Sequence, residues 1–135
     1  MKQSKTSHVP LSHGVGRRKS AVARVWLKKG SGVISVNGKE FKDYFFTEIS
    51  RIDAATPFRV IPTLQFDVNA NVRGGGVCSQ AGAVRLAIAR ALVALDEGLR
   101  PVLRKHDLLT VDSRLKERKK YGQPGARRKF QFVKR

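Results

Sequence analysis

Residues 114–135 carry ten Lys or Arg and a single acid, Glu117. A segment so dense in like charge cannot collapse into a core of its own, and its field calls for a polyanion. The rest of the chain is organised differently. Residues 1–20 hold five bases and no acid, residues 21–99 hold ten and seven, and residues 100–113 hold three and two. The 135-residue chain has 28 Lys+Arg against 10 Asp+Glu, a net charge of +18. Most of that excess sits at the ends, so the middle reads as an ordinary, nearly balanced domain. Nucleic acid and anionic membrane are the candidate polyanions. A hydrophobic fraction of 41% supports one modest core. One Cys cannot build a disulfide framework, which fits a reducing compartment. No apolar run reads as a span of ~20 residues, and the start lacks a signal-peptide h-region, so neither a membrane anchor nor secretion is expected.

The organisation read from periodicity is a flexible leader over 1–13, a globular α+β domain over 14–110 and a basic extension over 111–135. The first ordered segment is expected at Ser20–Lys28. There Ala21, Ala23, Val25 and Leu27 form a core face, and Val22, Arg24, Trp26 and Lys28 form the other. Val33–Val36 is a second strand. Asn37-Gly38 supplies the left-handed dihedrals of a tight hairpin to a third strand near Lys39–Phe41. Phe45, Ile49, Ile52 and Thr56 follow helical spacing, which predicts a helix over Thr47–Thr56 ended by Pro57. Phe58–Leu64 is ambiguous. Gln65–Arg73 alternates cleanly as a strand, with Phe66, Val68, Ala70 and Val72 facing the core. After Gly74-Gly75-Gly76 a long helix is expected over Ser79–Leu95. Its stripe is Val84, Ile88, Leu92 and Leu95, with Ala87 and Ala91, and Arg85 and Arg90 lie off it. A short helix follows Leu99-Arg100-Pro101, and Asp112 is placed to cap a last turn through Leu115–Arg118. The order β-β-β-α-β-α-α fits two layers, with strand order unread.

Four segments carry candidate chemistry. In Gly14-Val15-Gly16-Arg17-Arg18-Lys19-Ser20, glycines would let the backbone approach phosphate and three cations would neutralise it. The spacing is not that of a nucleotide-binding P-loop, and a strand follows instead of a helix. Arg73-Gly74-Gly75-Gly76 precedes a helix start, where exposed N–H groups favour anions. The same glycines read equally well as a turn that folds the helix back on the sheet. Arg114, Lys116, Arg118, Lys119 and Lys120 lead to Tyr121, an aromatic able to stack on a base. Arg127, Arg128, Lys129, Lys134 and Arg135 alternate with Phe130 and Phe132. That pattern suggests an extended strip lying in a groove rather than a freely solvated tail. Catalysis is not nominated. His8, His13 and His106 are scattered, and Cys78 reads as an inert small hydrophobe. Asp67 lies on the solvent face of its strand. No Cys/His set has metal spacing, so no metal or cofactor is expected.

Taken in order, these segments resemble a known family. Gly14–Val25, Val36–Lys39, Val68–Gly76, Gln80–Arg85, Ile88–Leu92, Leu99–Pro101, Glu117–Gly122, Ala126–Lys129 and the closing Lys134-Arg135 look like small ribosomal subunit protein nine of bacterial type. The resemblance runs from Gly14 to Arg135. It implies a two-layer α/β sandwich like the second domain of small-subunit protein five, ordered β-β-β-α-β-α with a left-handed crossover. It implies a place in the head of the small subunit of a cytoplasmic ribosome, on the 3′ major domain of its rRNA. Small-subunit protein seven would be a neighbour there, with proteins ten and fourteen in the same region. The rRNA contacts would fall on Arg17, Arg18, Lys19, Arg24, Arg73, Arg114, Lys116, Arg118, Lys119, Lys120, Tyr121, Arg127, Arg128 and Lys129. By the same resemblance the tail reaches the peptidyl site, where Lys134 and Arg135 approach the anticodon stem-loop phosphates of bound tRNA. Two departures stand out: Val133 replaces a frequent Ser before the closing pair, and Gln123-Pro124-Gly125 is less basic than usual. A free-standing basic RNA chaperone is the alternative reading. A small RNA-modifying enzyme would need convergent catalytic groups that the sequence does not supply.

Overall fold

Alternating burial along two segments builds the centre of the sheet. In the computed structural model, which describes residues 9–62 and 66–134, β1 is Ser12–Arg18, β2 is Ala21–Lys29, β3 is Ile34–Val36 and β4 is Lys39–Glu40. Helix α1 (Phe41–Tyr44) and helix α2 (Glu48–Val60) lead to β5 (Phe66–Arg73). Helix α3 (Val77–Leu95), a 3-10 turn (Glu97–Leu99) and α4 (Arg100–Lys105) complete the body. Ala21, Ala23, Val25 and Leu27 of β2 and Val68, Ala70 and Val72 of β5 are buried, as their period of two requires. The sheet order is β1-β2-β5-β3-β4. All neighbours are antiparallel except β3 and β5, which run parallel and are joined by a crossover through α1 and α2. Both helices that matter for the core, α2 and α3, therefore lie on one face, giving the expected two layers.

The first strand is the main departure from the periodicity. It begins at Ser12, inside the expected leader, and takes in Gly14–Arg18 of the glycine-cation motif, after which the first strand was expected. Its glycines serve packing rather than phosphate approach. A Cβ on Gly14 would collide with the Ala87 carbonyl oxygen and come within 2.7 Å of Ala91 N. One on Gly16 would collide with the Ala83 carbonyl oxygen. Strand and helix backbones thus touch along Ala83, Ala87 and Ala91, three small residues one turn apart. Arg90 secures the contact by donating from its guanidinium to the Val15 carbonyl at 2.8 Å.

Helix α3 is buried over more than one stripe. Ala81, Ala83, Val84, Leu86, Ala87, Ile88, Ala89, Ala91 and Leu92 are all buried, while Leu95 is exposed. The sheet covers one side and α2 another. Contrary to the expectation that no apolar run is long enough, its 19 residues match a bilayer span by length and composition. Burial in the body accounts for that composition, as in the core helix of a globular domain.

Helix α2 runs three residues past the expected stop. Pro57 sits inside it, fully buried among core residues. The proline leaves one backbone acceptor without its partner. Its ring is packed in the core, and Thr56 Oγ1 donates to the Ile52 carbonyl at 2.8 Å. The buried face is also not the expected one. Ser50, Ala54 and Pro57 point inward, whereas Ile49 and Ile52 are exposed. Small residues let α2 approach α3 closely, and the larger isoleucines are left outside. Of the ambiguous Phe58–Leu64, residues 58–60 end α2; Thr63 and Leu64, with the following Gln65, lie outside the described residues.

Asn37 and Gly38 have φ of 51° and 77°, the left-handed pair that a two-residue hairpin needs. The Asn37 side chain also extends the sheet: Nδ2 donates to the Val72 carbonyl at 3.0 Å, and Oδ1 accepts from Val72 N at 2.9 Å.

The backbone contact between β1 and α3 gives a direct test. Gly16→Ala should destabilise the protein by ~3 kcal/mol in urea unfolding, because neither backbone can yield without losing its hydrogen bonds. Gly76→Ala, where an added Cβ meets open space, should cost under ~1 kcal/mol. Equal effects at the two positions would remove the packing role assigned to Gly16.

Candidate nucleic-acid interface

Strands β1 and β2 are joined by Lys19-Ser20, with Arg18 opposite Ala21. Lys19 adopts φ 52° and is exposed, and so is Arg17. Arg18 between them is half-buried and turns inward. Its guanidinium lies 3.8 Å from Asp53 of α2 and 3.6 Å from Asp112, just past the body. Asp53 also accepts from Arg85 of α3 at 2.7 Å. Asp112 receives Arg114 through Nε at 3.0 Å and Nη2 at 2.8 Å. Two carboxylates and three guanidiniums thereby join β1, α2, α3 and the root of the extension. The Arg114 hydrogen bonds, backbone and side chain, hold the Asp112 carboxyl far below the usual carboxylate range, with Arg18 adding to the effect. Arg18, Lys19, Asp112, Arg114, Leu115 and Lys116 line an open groove of about 470 Å³ at this junction.

The expected helical turn after Asp112 is absent. Asp112 accepts from Arg114 N at 3.1 Å, a turn over two residues that goes no further. A helix here would set Arg114 one turn from Arg118, and Lys116 one turn from Lys119 and Lys120, with only Glu117 to relieve them. Residues 111–120 are instead irregular, and a series of turns follows over 121–127. Glu117 and Arg127, ten positions apart, form a two-pronged ion pair, with Nε at 3.0 and 3.1 Å and Nη2 at 2.7 Å. Lys120 closes the same loop by donating to the Ala126 carbonyl at 3.1 Å. The Arg127 hydrogen bonds lower the Glu117 pKa, and the nearby Lys120 adds to this. Gln123-Pro124-Gly125 lies inside this loop.

The extension presents its other groups outward. Lys116, Arg118, Lys119, Arg128, Lys129 and Lys134 are exposed, and Arg135 lies outside the described residues. Tyr121 is 94% exposed and Phe132 fully so, with Phe130 also outside. These three rings are left to solvent rather than packed on the body. Arg24 and Arg73 project from the sheet face away from the helices, with Arg17 on the same side. In the glycine triplet, Gly74 and Gly75 have φ of 73° and 68°, and Cβ atoms there would crowd Ser20 of the β1–β2 turn and Ala21 of β2. The structural reading of that turn is satisfied by these contacts.

Sequence reasoning missed two features. The carboxylates Asp53 and Asp112 act as anchors for arginines, a role with no local signature because the partners are distant in the chain. A second cleft of about 710 Å³ lies between α3 and α4, lined by Arg90, Arg100 and Arg104 and by Glu97, which pairs with Arg100 at 3.0 Å. The i, i+4 spacing of Arg100 and Arg104 was the available clue. Among the described residues no cluster of three or more His, Cys, Asp or Glu could hold a metal ion.

Comparison with known proteins adds an independent line. The profile of the family described as Ribosomal protein S9/S16 matches residues 16–135. The chain is 51% identical over 126 residues to small ribosomal subunit protein uS9 of Maridesulfovibrio salexigens, covering 93% of this chain and 97% of that one. It is 51% identical over 124 residues to the protein of the same name from Cytophaga hutchinsonii, covering 91% and 97%. It is 50% identical over 136 residues to that of Borreliella burgdorferi, covering both chains fully.

The Glu117–Arg127 pair predicts a pH response. The folded pKa of Glu117 lies below the ordinary 4.5, so the clasp is fully present above that pH and is lost as pH falls through the folded value. Carboxyl-carbon NMR should place the Glu117 midpoint below 4.5 in the native chain and return it toward 4.5 in Arg127→Gln. A midpoint unmoved by that substitution would remove the clasp.

Proposed function

The chain belongs to the ribosomal protein S9/S16 family, and from that premise we propose that it is a structural, non-catalytic constituent of the small ribosomal subunit that docks on rRNA. The observation that carries the reading is the make-up of residues 114–134. Cations and exposed aromatics alternate there on a segment without helix or strand, next to a nearly charge-balanced body. Such a segment gains order only against a polyanion that also offers base faces for stacking.

In the finer form of the proposal the body sits in the head of the subunit on the 3′ major domain of the rRNA. Small-subunit protein seven lies beside it, with proteins ten and fourteen in the same region of a cytoplasmic ribosome. Arg17, Lys19, Arg24 and Arg73 contact phosphates from the body. Arg114, Lys116, Arg118, Lys119, Lys120, Tyr121, Arg127, Arg128 and Lys129 do so from the extension. Arg18 contributes mainly by anchoring the root of the extension through Asp112. The extension, 111–135, carries Lys134 and Arg135 to the phosphates of the peptidyl-site tRNA anticodon stem-loop. Val133 contributes no hydroxyl, so the two cations carry that contact.

Phosphate neutralisation supplies the affinity, so it falls with salt. Subunits whose copy ends at Val133 should assemble normally, because the body and the other cations remain. Their peptidyl-site tRNA affinity should show a log–log salt slope smaller by roughly 1.4, the counterion release of two single-strand contacts. Unchanged affinity and slope would remove Lys134 and Arg135 from the tRNA site. The intact chain should stay with small subunits through a high-salt wash; its release into the supernatant would favour the free-standing RNA chaperone.

A further inference from the structure

The sheet face turned away from the helices carries an ordered set of side chains. Cross-strand pairing puts His13, Trp26, Asn69 and Ser35 in one row across β1, β2, β5 and β3. The next row is Val15, Arg24 and Asn71, and the one after is Arg17, Val22 and Arg73. Strand geometry sets successive rows about 7 Å apart. The His13 and Trp26 rings lie 5.2 Å apart between centroids, inclined at 38°. His13, Asn69, Asn71, Arg17, Arg24 and Arg73 are all exposed.

Resting on the reading that the chain binds RNA, we propose that this face is a stacking platform for an unpaired RNA nucleotide. A base lies on the Trp26–His13 pair, Asn69 and Asn71 meet its edges, and Arg24, Arg17 and Arg73 take the adjoining phosphates. Each part has a physical reason. The half-buried indole and the exposed imidazole, inclined to each other at 38°, offer ring faces against which a base can stack. The Asn amides offer a donor and an acceptor together, the complement that base edges require. Arginines one and two rows away supply phosphate contacts in the direction the strands run. An RNA duplex keeps its base faces stacked inside and cannot use such a surface, so the ligand is single-stranded. The composition also argues against a protein partner. Three exposed arginines stand on the face, and its apolar residues Val15 and Val22 are each paired across β1 and β2 with an arginine, Arg24 and Arg17.

The chain has one Trp, so its emission reports on this face alone. The experiment titrates the full chain with short oligoadenylate, with an RNA duplex of the same length and with inorganic polyphosphate. Anisotropy of labelled ligand is read in parallel for the two RNAs. Oligoadenylate should quench Trp26 saturably, in step with its binding, while duplex and polyphosphate leave the emission unchanged. Trp26→Ala should weaken oligoadenylate binding about tenfold, the loss of one base–aromatic stack. Trp26→Phe, which keeps a stacking ring, should restore most of it. Oligoadenylate that binds without quenching, or equal quenching by duplex or polyphosphate, would overturn the platform and leave the basic extension as the RNA-binding element. Absence of oligoadenylate binding altogether would overturn both.

Discussion

The body depends on the touching of two backbones, β1 against α3. Gly14 and Gly16 leave no side chain between them, and Ala83, Ala87 and Ala91 answer from the helix. An approach this close gathers dispersion contacts over its whole length, and no larger residue can be accommodated there. It places α3 under the sheet edge, so α3 becomes buried on several sides and α2 can pack against it through Ser50 and Ala54. With both helices drawn to one face, the other face is left to Trp26, Arg24 and the asparagines. The candidate interface is thus a consequence of where two glycines fall.

The same strand carries the ion-pair junction. Arg18 ends β1, and its position between Asp53 and Asp112 is set by the seating of β1 on α3. The chain is strongly basic, yet three of its ten acids fix arginines in place. Asp53 steadies Arg85 and Arg18, Asp112 steadies Arg18 and Arg114, and Glu117 steadies Arg127. These partly solvated pairs are individually weak. Their effect is directional: the extension leaves the body from a defined point.

The parts legible in the sequence were those whose signal is local. Alternation located β2 and β5, and Asn37-Gly38 located the hairpin, because side-chain period and left-handed dihedrals are properties of neighbouring residues. The length of α3 was also visible in its apolar spacing. β1 was not, because glycines that exist to meet a helix seventy residues away look the same as glycines of a loop. The face of α2 was misjudged for a related reason: close helix contact selected Ser50 and Ala54 over Ile49 and Ile52, against the ranking by hydrophobicity. Pro57 reads as a stop, and only burial of its ring in the core lets the helix continue. At the interface, the identity and segregation of the cations were plain from the start, whereas their pairing with Asp53, Asp112 and Glu117 needed three dimensions.

The clasp between Glu117 and Arg127 has a topological consequence. While it holds, the extension is a closed loop with a short free end, and a loop can be laid into an open furrow but cannot be drawn through a ring. A partner that finally encircles this segment has two routes. It can fold shut around the loop after contact, or it can exchange its own phosphates for Glu117 on Arg127 and admit the chain end first. Because an exposed pair of this kind is weak, phosphate competing for Arg127 is enough to open the loop and release the chain end.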